Sequence, residues 1–235
     1  MKRIVFMVGG PEFHPVGVQA GAIAQWLGEG YACELVAGEG ALGRLEGAEL
    51  LVVMGLYWPG MEQEWAGGMK YEPLGRGNAE RLGAYVRSGR PVVSHHGGIA
   101  SFPEAGEFAE ACGWAWVWGE TTHSPFGSWT TKPVGAGHAV MEGVGTFTVE
   151  DEIYYRVKAM EPGAAEVHAA AEFEGAAHPM VSTMEAVGHG RGRRVYLANG
   201  HDMRAFSGAA GGSAGASGGA VRRLWVNSVR WALGE

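Results

Sequence analysis

Short apolar runs recur along the chain, and most of them end in a glycine- or proline-containing turn. Residues 3–8 predict a first strand, apolar from Ile4 onward, as expected for a strand buried on both faces of a parallel sheet. Residues 19–27 carry apolar side chains at helical spacing and stop at Gly28 and Gly30. Residues 32–36 and 50–54 read as the second and third strands. Residues 78–86 predict a helix with Leu82, Tyr85 and Val86 on one face and Gly89 as its cap. The β-branched run at 91–93 reads as a buried strand. This alternation of strands and helices argues for a parallel sheet with right-handed crossovers.

The second half is richer in strands. Residues 102–112 predict a helix, and the aromatic segment 114–119 reads as a strand or a covering loop. Strands are expected at 129–134, 147–149, 167–173 and 179–185. A glycine-basic turn at 188–194 leads into a buried strand at 194–198, which delivers Asn199-Gly200-His201-Asp202. The Gly/Ala/Ser tract at about 207–219 has the composition of a flexible loop. A last helix at 220–233 offers Val221, Leu224, Trp225, Val229 and Trp231 to the core. No internal repeat is visible, so residues 1–235 are expected to form a single domain.

The stretch Arg90 to Phe102, RPVVSHHGGIASF, is the centre of this pattern. A strand, a sharp turn and a helix lift a side chain out of a sheet at its carboxyl edge, where ligands of open α/β sheets bind. Gly97 and Gly98 let the backbone bend and let a ligand approach it. The bland alternative is a tight turn whose histidines happen to be exposed.

Composition narrows the classes. A chain of 235 residues can bury a full core. Its net charge of −7 argues against nucleic acid as a partner, because tracking phosphates needs a basic face. The two cysteines, Cys33 and Cys112, exclude a CxxC metal site and indicate no disulfide framework. No apolar run approaches a membrane span, and the amino-terminal run is too short for a secretory signal, so a cytoplasmic protein is expected.

Four polar clusters fall at strand ends or in loops: His95-His96, His123, Glu150-Asp151-Glu152 and His201-Asp202. Histidine and carboxylate in one cleft can act as general acid and base or bind a divalent metal. None of these residues forms an i,i+4 ligand pair, so any such site is assembled from distant loops. His138 reads as a turn cap, while His14, His168, His178 and His189 read as surface or structural histidines. A covalent mechanism is disfavoured: Ser94 and Ser101 lack a GxSxG surround, and Cys112 reads as core. The loop after the third strand is rich in aromatics, including Tyr57, Trp58, Trp65 and Tyr71. They can line a sugar pocket, cover the sheet or make a dimer contact.

The ordered series RPVVSHHGGIASF, HSPFG, GHAVMEGV, VEDEIYY, RRVYLANGHD and a carboxyl-terminal VRWALG resembles the ThuA-like family, named for trehalose utilisation. The resemblance spans nearly the whole chain and is weakest from Trp58 to Gly75. It implies an α/β fold of the flavodoxin-like, class I glutamine amidotransferase-like type, a three-layer sandwich with a mainly parallel central sheet. An amidotransferase has Gly-x-Cys-x-Gly at the elbow. Here the five residues are Ser94-His95-His96-Gly97-Gly98, so His96 stands where the nucleophilic Cys would be, and glutamine hydrolysis through a thioester is excluded. Glu152, His201 and Phe126 match the family pattern, whereas the Gly/Ala/Ser tract departs from it.

The resemblance implies a role in sugar or keto-sugar catabolism. His96, His201 and Glu152 are the candidate catalytic residues. His95, His123, Trp58 and Asp202 are candidates for substrate binding. His95, His96, His123, Glu152 and His201 are candidate ligands for a divalent zinc or manganese ion. The partner expected is a small carbohydrate, with no nucleic acid and no membrane, and the aromatic surplus is compatible with a homodimer. A non-catalytic binding or regulatory protein on an amidotransferase-like scaffold is the alternative, since folds do not fix function.

Overall fold

The computed structural model describes residues 1–187, 192–207 and 216–235. Among them, nine strands form one sheet: β1 (Lys2–Val8), β2 (Tyr31–Ala37), β3 (Leu50–Val53), β4 (Val92–His95), β5 (Gly127–Pro133), β6 (Phe147–Asp151), β7 (Ala165–Phe173), β8 (Ala176–Val187) and β9 (Gly192–Leu197). Their order across the sheet is β2-β1-β3-β4-β9-β8-β7-β5-β6. The first five positions are parallel. From β9 outward every pairing is antiparallel. The sheet is therefore mixed: the expected parallel core is present, and it is extended by an antiparallel wing.

Among the described residues five α-helices accompany the sheet: α1 (Val16–Leu27), α2 (Arg76–Arg87), α3 (Gly106–Cys112), α4 (Met203–Ser207) and α5 (Ala216–Ala232). The strand period of two divides the core. Ile4, Phe6 and Val8 of β1 pack with Val16, Ala20 and Ile23 of α1 and with Leu224, Trp225 and Val229 of α5. Val5 and Met7 face the other way and pack with Leu82 and Tyr85 of α2 and Phe108 of α3. Every residue of β3 is buried, as a strand covered on both faces requires.

Several elements depart from their expected bounds. The segment after β4 is a 3₁₀ turn, His96–Ala100, and the helix expected from 102 begins only at Gly106. The last helix begins at Ala216 rather than 220, so the end of the expected loop is helical. The expected flexible loop otherwise falls on 208–215, and the glycine-basic turn on 188–191, both outside the described residues. The segment 114–119 contains only a two-residue strand, Trp114–Ala115, paired with Lys158–Ala159. None of the described helices is long and apolar enough to cross a membrane.

Trp225 is 1% exposed at the centre of the α1/α5 side of the core. Replacing it with alanine is expected to cost about 3–5 kcal/mol of unfolding free energy, measured by urea denaturation. A loss below about 1 kcal/mol would mean that this face is not the packed core the contacts describe.

Candidate functional site

The parallel strands deliver their loops to one edge. The loop after β1 brings His14, the loop after β3 brings Leu56 and Trp58, the end of β4 brings His96, and the segment after β9 brings His201. Glu152 arrives from the far wing, directly after β6. Together with Phe13, Trp65, Ala100, Trp116, Trp118, His123 and Tyr154, most of these residues line a cleft of about 360 Å³.

The turn at β4 is an elbow in the physical sense. His96 adopts φ +40°, a left-handed conformation that a non-glycine residue holds only where its surroundings impose it. Glycine follows it, and a Cβ on Gly97 would lie 2.9 Å from Cε1 of His14, so a side chain there would push the His14 ring aside. That close approach lets His14 lie beside His96, with ring centroids 5.0 Å apart.

Glu152 is the hub. Its Oε1 lies 3.4 Å from Nε2 of His96 and 3.2 Å from Nδ1 of His201. Its Oε2 lies 3.0 Å from Nδ1 of His123. His14 completes the group, with Nε2 3.1 Å from Nδ1 of His201. Burial opposes the charge on Glu152, yet the imidazoles of His123, His201 and His96 set against it hold its carboxyl far below the usual range. Burial likewise opposes a charged His96, but Glu152 and Asp151 outweigh it and raise its pKa. His123 is raised chiefly by its bond to Glu152. His14 is pushed well down by burial and then by His96 and His201.

A neighbouring carboxylate holds these loops together. Asp151 is fully buried and accepts hydrogen bonds from the backbone N–H of Glu152 (2.9 Å), Gly200 (2.8 Å) and His201 (3.0 Å) and from Nδ2 of Asn199 (3.2 Å). The His123 segment is fixed in the same way: Ser124 Oγ accepts from the N–H of Ile153, and residues 122–123 pair with Tyr154–Tyr155.

The structure therefore brings Glu152, His201, His123 and Trp58 to the lining of one cleft, with His96 behind Glu152 at its floor, and it leaves two expected contacts outside. His95 is the last residue of β4, before the turn at His96, and its side chain enters the α1/α5 side of the core. There it packs on Trp225 and Phe206 and donates from Nε2 to the carbonyl of Asn199. Burial holds it neutral, with its pKa pushed down to about 3. Asp202 turns toward α4, where it accepts from the N–H and the guanidinium of Arg204. Neither residue lines the cleft.

Three residues gain a role that the sequence pattern does not assign, although Asp151 belongs to one of its polar clusters. His14, expected as structural, is buried within the cluster. Its signal was its position in the loop after the first strand, at the same sheet edge as the elbow. Tyr154 lies under His96, with ring centroids 4.1 Å apart, and Asp151 clamps the loops. The remaining histidines behave as expected where they are described. His138 caps its turn by accepting from the N–H of Val140, and His168 bonds Thr183 in the core.

The buried group His14, His96, Glu152 and His201 offers one ligand atom from each residue, all within 4.8 Å of one another, and could hold a metal ion.

Comparison with known proteins agrees with this frame. A putative ThuA-like protein from Parabacteroides merdae superposes with a TM-score of 0.69 at 16% identity, covering 99% of this chain and 90% of that one. A cytoplasmic protein from Salmonella typhimurium gives 0.58 at 14% identity, covering 98% of each chain. A β-galactosidase from Rahnella sp. R3 gives 0.58 at 15% identity, with 99% of this chain matching 30% of that enzyme. These likenesses are of fold alone. No curated protein matches at the level of sequence. The model of the ThuA family, described as trehalose utilisation, matches residues 50–211, well over half of the chain and including His96, Glu152 and His201. The protein belongs to the ThuA family.

Proposed function

We propose that this protein is a cytoplasmic enzyme of carbohydrate catabolism that acts on a sugar or keto-sugar through its His/carboxylate site. The observation that carries the reading is a carboxylate gripped by three imidazoles at the floor of an aromatic-walled cleft. Trp58 and Trp118 stack at 6.1 Å, and Phe13 stacks on Trp65 at 6.2 Å. Flat aromatic faces of this kind pack on the apolar face of a sugar ring. The family description points to the same substrate class, and the Salmonella protein's description supports the cytoplasm. The frame we assign is the flavodoxin-like, amidotransferase-like three-layer sandwich, with His96 in the place of the nucleophile. A homodimer remains part of the proposal, with the aromatic rim as the candidate contact.

A carboxylate held as low as Glu152 takes no proton near neutral pH. Its role is to orient the imidazoles and stabilise their charged form, while, in the metal-free site, His201 and His96 move protons to and from the substrate. A zinc or manganese ion held by His96, Glu152 and His201 would supply Lewis-acid polarisation of a substrate carbonyl.

A panel of sugars and keto-sugars, read by thermal shift and tryptophan fluorescence, is expected to give at least one saturable ligand. Trp58→Ala should weaken that response. For the responding sugar, Glu152→Gln and His96→Ala should each lower turnover by about 10²–10⁴-fold while the fold is retained. Full turnover in both variants would remove the site assignment, and silence of the whole panel would favour a non-catalytic scaffold.

The His123–Glu152 contact makes a separate prediction for protein stripped of metal. His123 should titrate above about 6.5 by NMR and fall back toward that value in Glu152→Gln. Because the folded pKa is the raised one, this contact stabilises the protein fully below about pH 6.5 and ceases to do so as pH rises through the folded value. An unchanged His123 titration in Glu152→Gln would break the assigned pairing.

A further inference from the structure

We infer that the floor of the cleft is a three-histidine, one-carboxylate site for a first-row divalent transition metal, with His14 Nε2, His96 Nε2, His201 Nδ1 and Glu152 Oε1 as its ligands. This replaces the ligand set read from the sequence: His14 enters, and His95 and His123 leave. The inference deepens the proposed use of the cleft but does not depend on a sugar substrate. His14 lies outside the residues matched by the family model, so the fourth ligand is argued from this chain alone.

Proton counting carries the argument. His96 Nδ1 lies 2.7 Å from the carbonyl of Ala198. A carbonyl only accepts, so Nδ1 carries the proton and Nε2 of the neutral ring is a bare lone pair. That atom is buried without a hydrogen-bond partner and faces the carboxylate at 3.4 Å. A lone pair and a carboxylate at that distance repel unless something positive lies between them. His201 adds a second shortfall: its Nδ1 sits 3.1 Å from His14 Nε2 and 3.2 Å from Glu152 Oε1, and the one proton it can carry serves only one of these two contacts well. A single dication satisfies all four atoms at once. The bond from His96 Nδ1 to a backbone carbonyl is also how metal-binding histidines are held in the correct tautomer.

The dimensions agree. With metal–nitrogen and metal–oxygen bonds of about 2.1 Å, adjacent ligand atoms lie about 3.0 Å apart in an octahedron and about 3.4 Å apart in a tetrahedron. The three edges given above fall in that interval. The remaining pairs lie within 4.8 Å, so at most a closure of about 0.6 Å brings the widest of them to the span of about 4.2 Å between opposite octahedral corners. Three imidazoles and one carboxylate suit zinc, cobalt, manganese or iron, whereas magnesium and calcium call for oxygen. His14, Glu152 and His201 line the cleft, so the ion is reached from it. Among the described residues lining the cleft there is no lysine or arginine to supply the positive charge instead. His123 bonds the other oxygen of Glu152 and orients the ligand from outside.

The test uses the full chain, stripped with chelator and reloaded with zinc or cobalt(II). The expected result is one ion per chain by elemental analysis, with a cobalt visible spectrum that shows nitrogen ligation. His14→Ala should weaken zinc on the order of 100-fold or more, beyond what loss of an outer partner costs, while His123→Ala keeps one ion with a smaller loss. Far-UV circular dichroism confirms that the variants are folded. The wild-type cobalt spectrum tests the site without any variant. An absence of stoichiometric zinc or cobalt in the wild type overturns the inference, as does unchanged zinc affinity in folded His14→Ala. A sugar response without metal would sink this inference and leave the proposed function standing. Metal uptake without any sugar response would do the reverse.

Discussion

The geometry of the cleft depends on one buried carboxylate, Asp151. It is the last residue of an outer antiparallel strand, yet its oxygens accept three backbone N–H groups and one side-chain amide, three of these four from residues 199–201 after the central strand β9. That connection spans the width of the antiparallel wing. It brings Glu152, the next residue in the chain, against His96 and His201. Without an acceptor at that point, three backbone N–H groups would be buried unpaired, each at a cost of about 1–3 kcal/mol. Burial raises the pKa of Asp151, while the nearby His96 charge and the N–H groups pull it the other way. Site and clamp are thus electrostatically one unit.

The elbow supplies the other half. His96 holds a left-handed backbone conformation, its ring rests against Tyr154, and its Nδ1 is tied to Ala198 at the end of β9. A strained residue kept in place by contacts from three elements is a preorganised one. In an amidotransferase such a turn presents a thiol. Here it presents an imidazole nitrogen toward a carboxylate.

Much of this was legible along the chain. The β-branched runs at β3 and β4, the glycine turns after them and the amphipathic face of α5 carry their own periodicity, and they gave the parallel core and the elbow. The wing was only partly legible: β7, β8 and β9 are sequence neighbours with short connections, which favours antiparallel pairing, whereas the pairing of β7 with the distant β5 rests on contacts that local pattern does not encode. The choice between His95 and His96 had a similar cause. Residues 92–95 are buried on both faces, so no polar–apolar alternation marks which neighbour looks out of the sheet. Only the turn, which reverses the backbone at His96, decides it. His14 was hidden by its apolar context, Phe13-His14-Pro15-Val16, which reads as packing until the loop after β1 is seen to end beside the elbow.

Charge balance fixes what the site can be. Two carboxylates, Asp151 and Glu152, are adjacent and buried, and among the described residues lining the cleft there is no fixed cation to offset them. Removing a carboxylate from water without compensation costs far more than a single hydrogen bond returns, so the positive charge comes from protons on the imidazoles or from a bound ion. These alternatives place the same histidines in opposite states, because a protonated ring cannot be a ligand. A lowered pH therefore favours the hydrogen-bonded cluster and expels a metal, whereas a neutral or higher pH frees the ring nitrogens to bind one. His14 is the residue most committed to one side. Burial and its two neighbouring rings keep it neutral, and its Nδ1 is buried without a partner, so only its Nε2 face has a role to play. A neutral imidazole held among two others and a carboxylate is the arrangement that favours a shared cation over a shared proton.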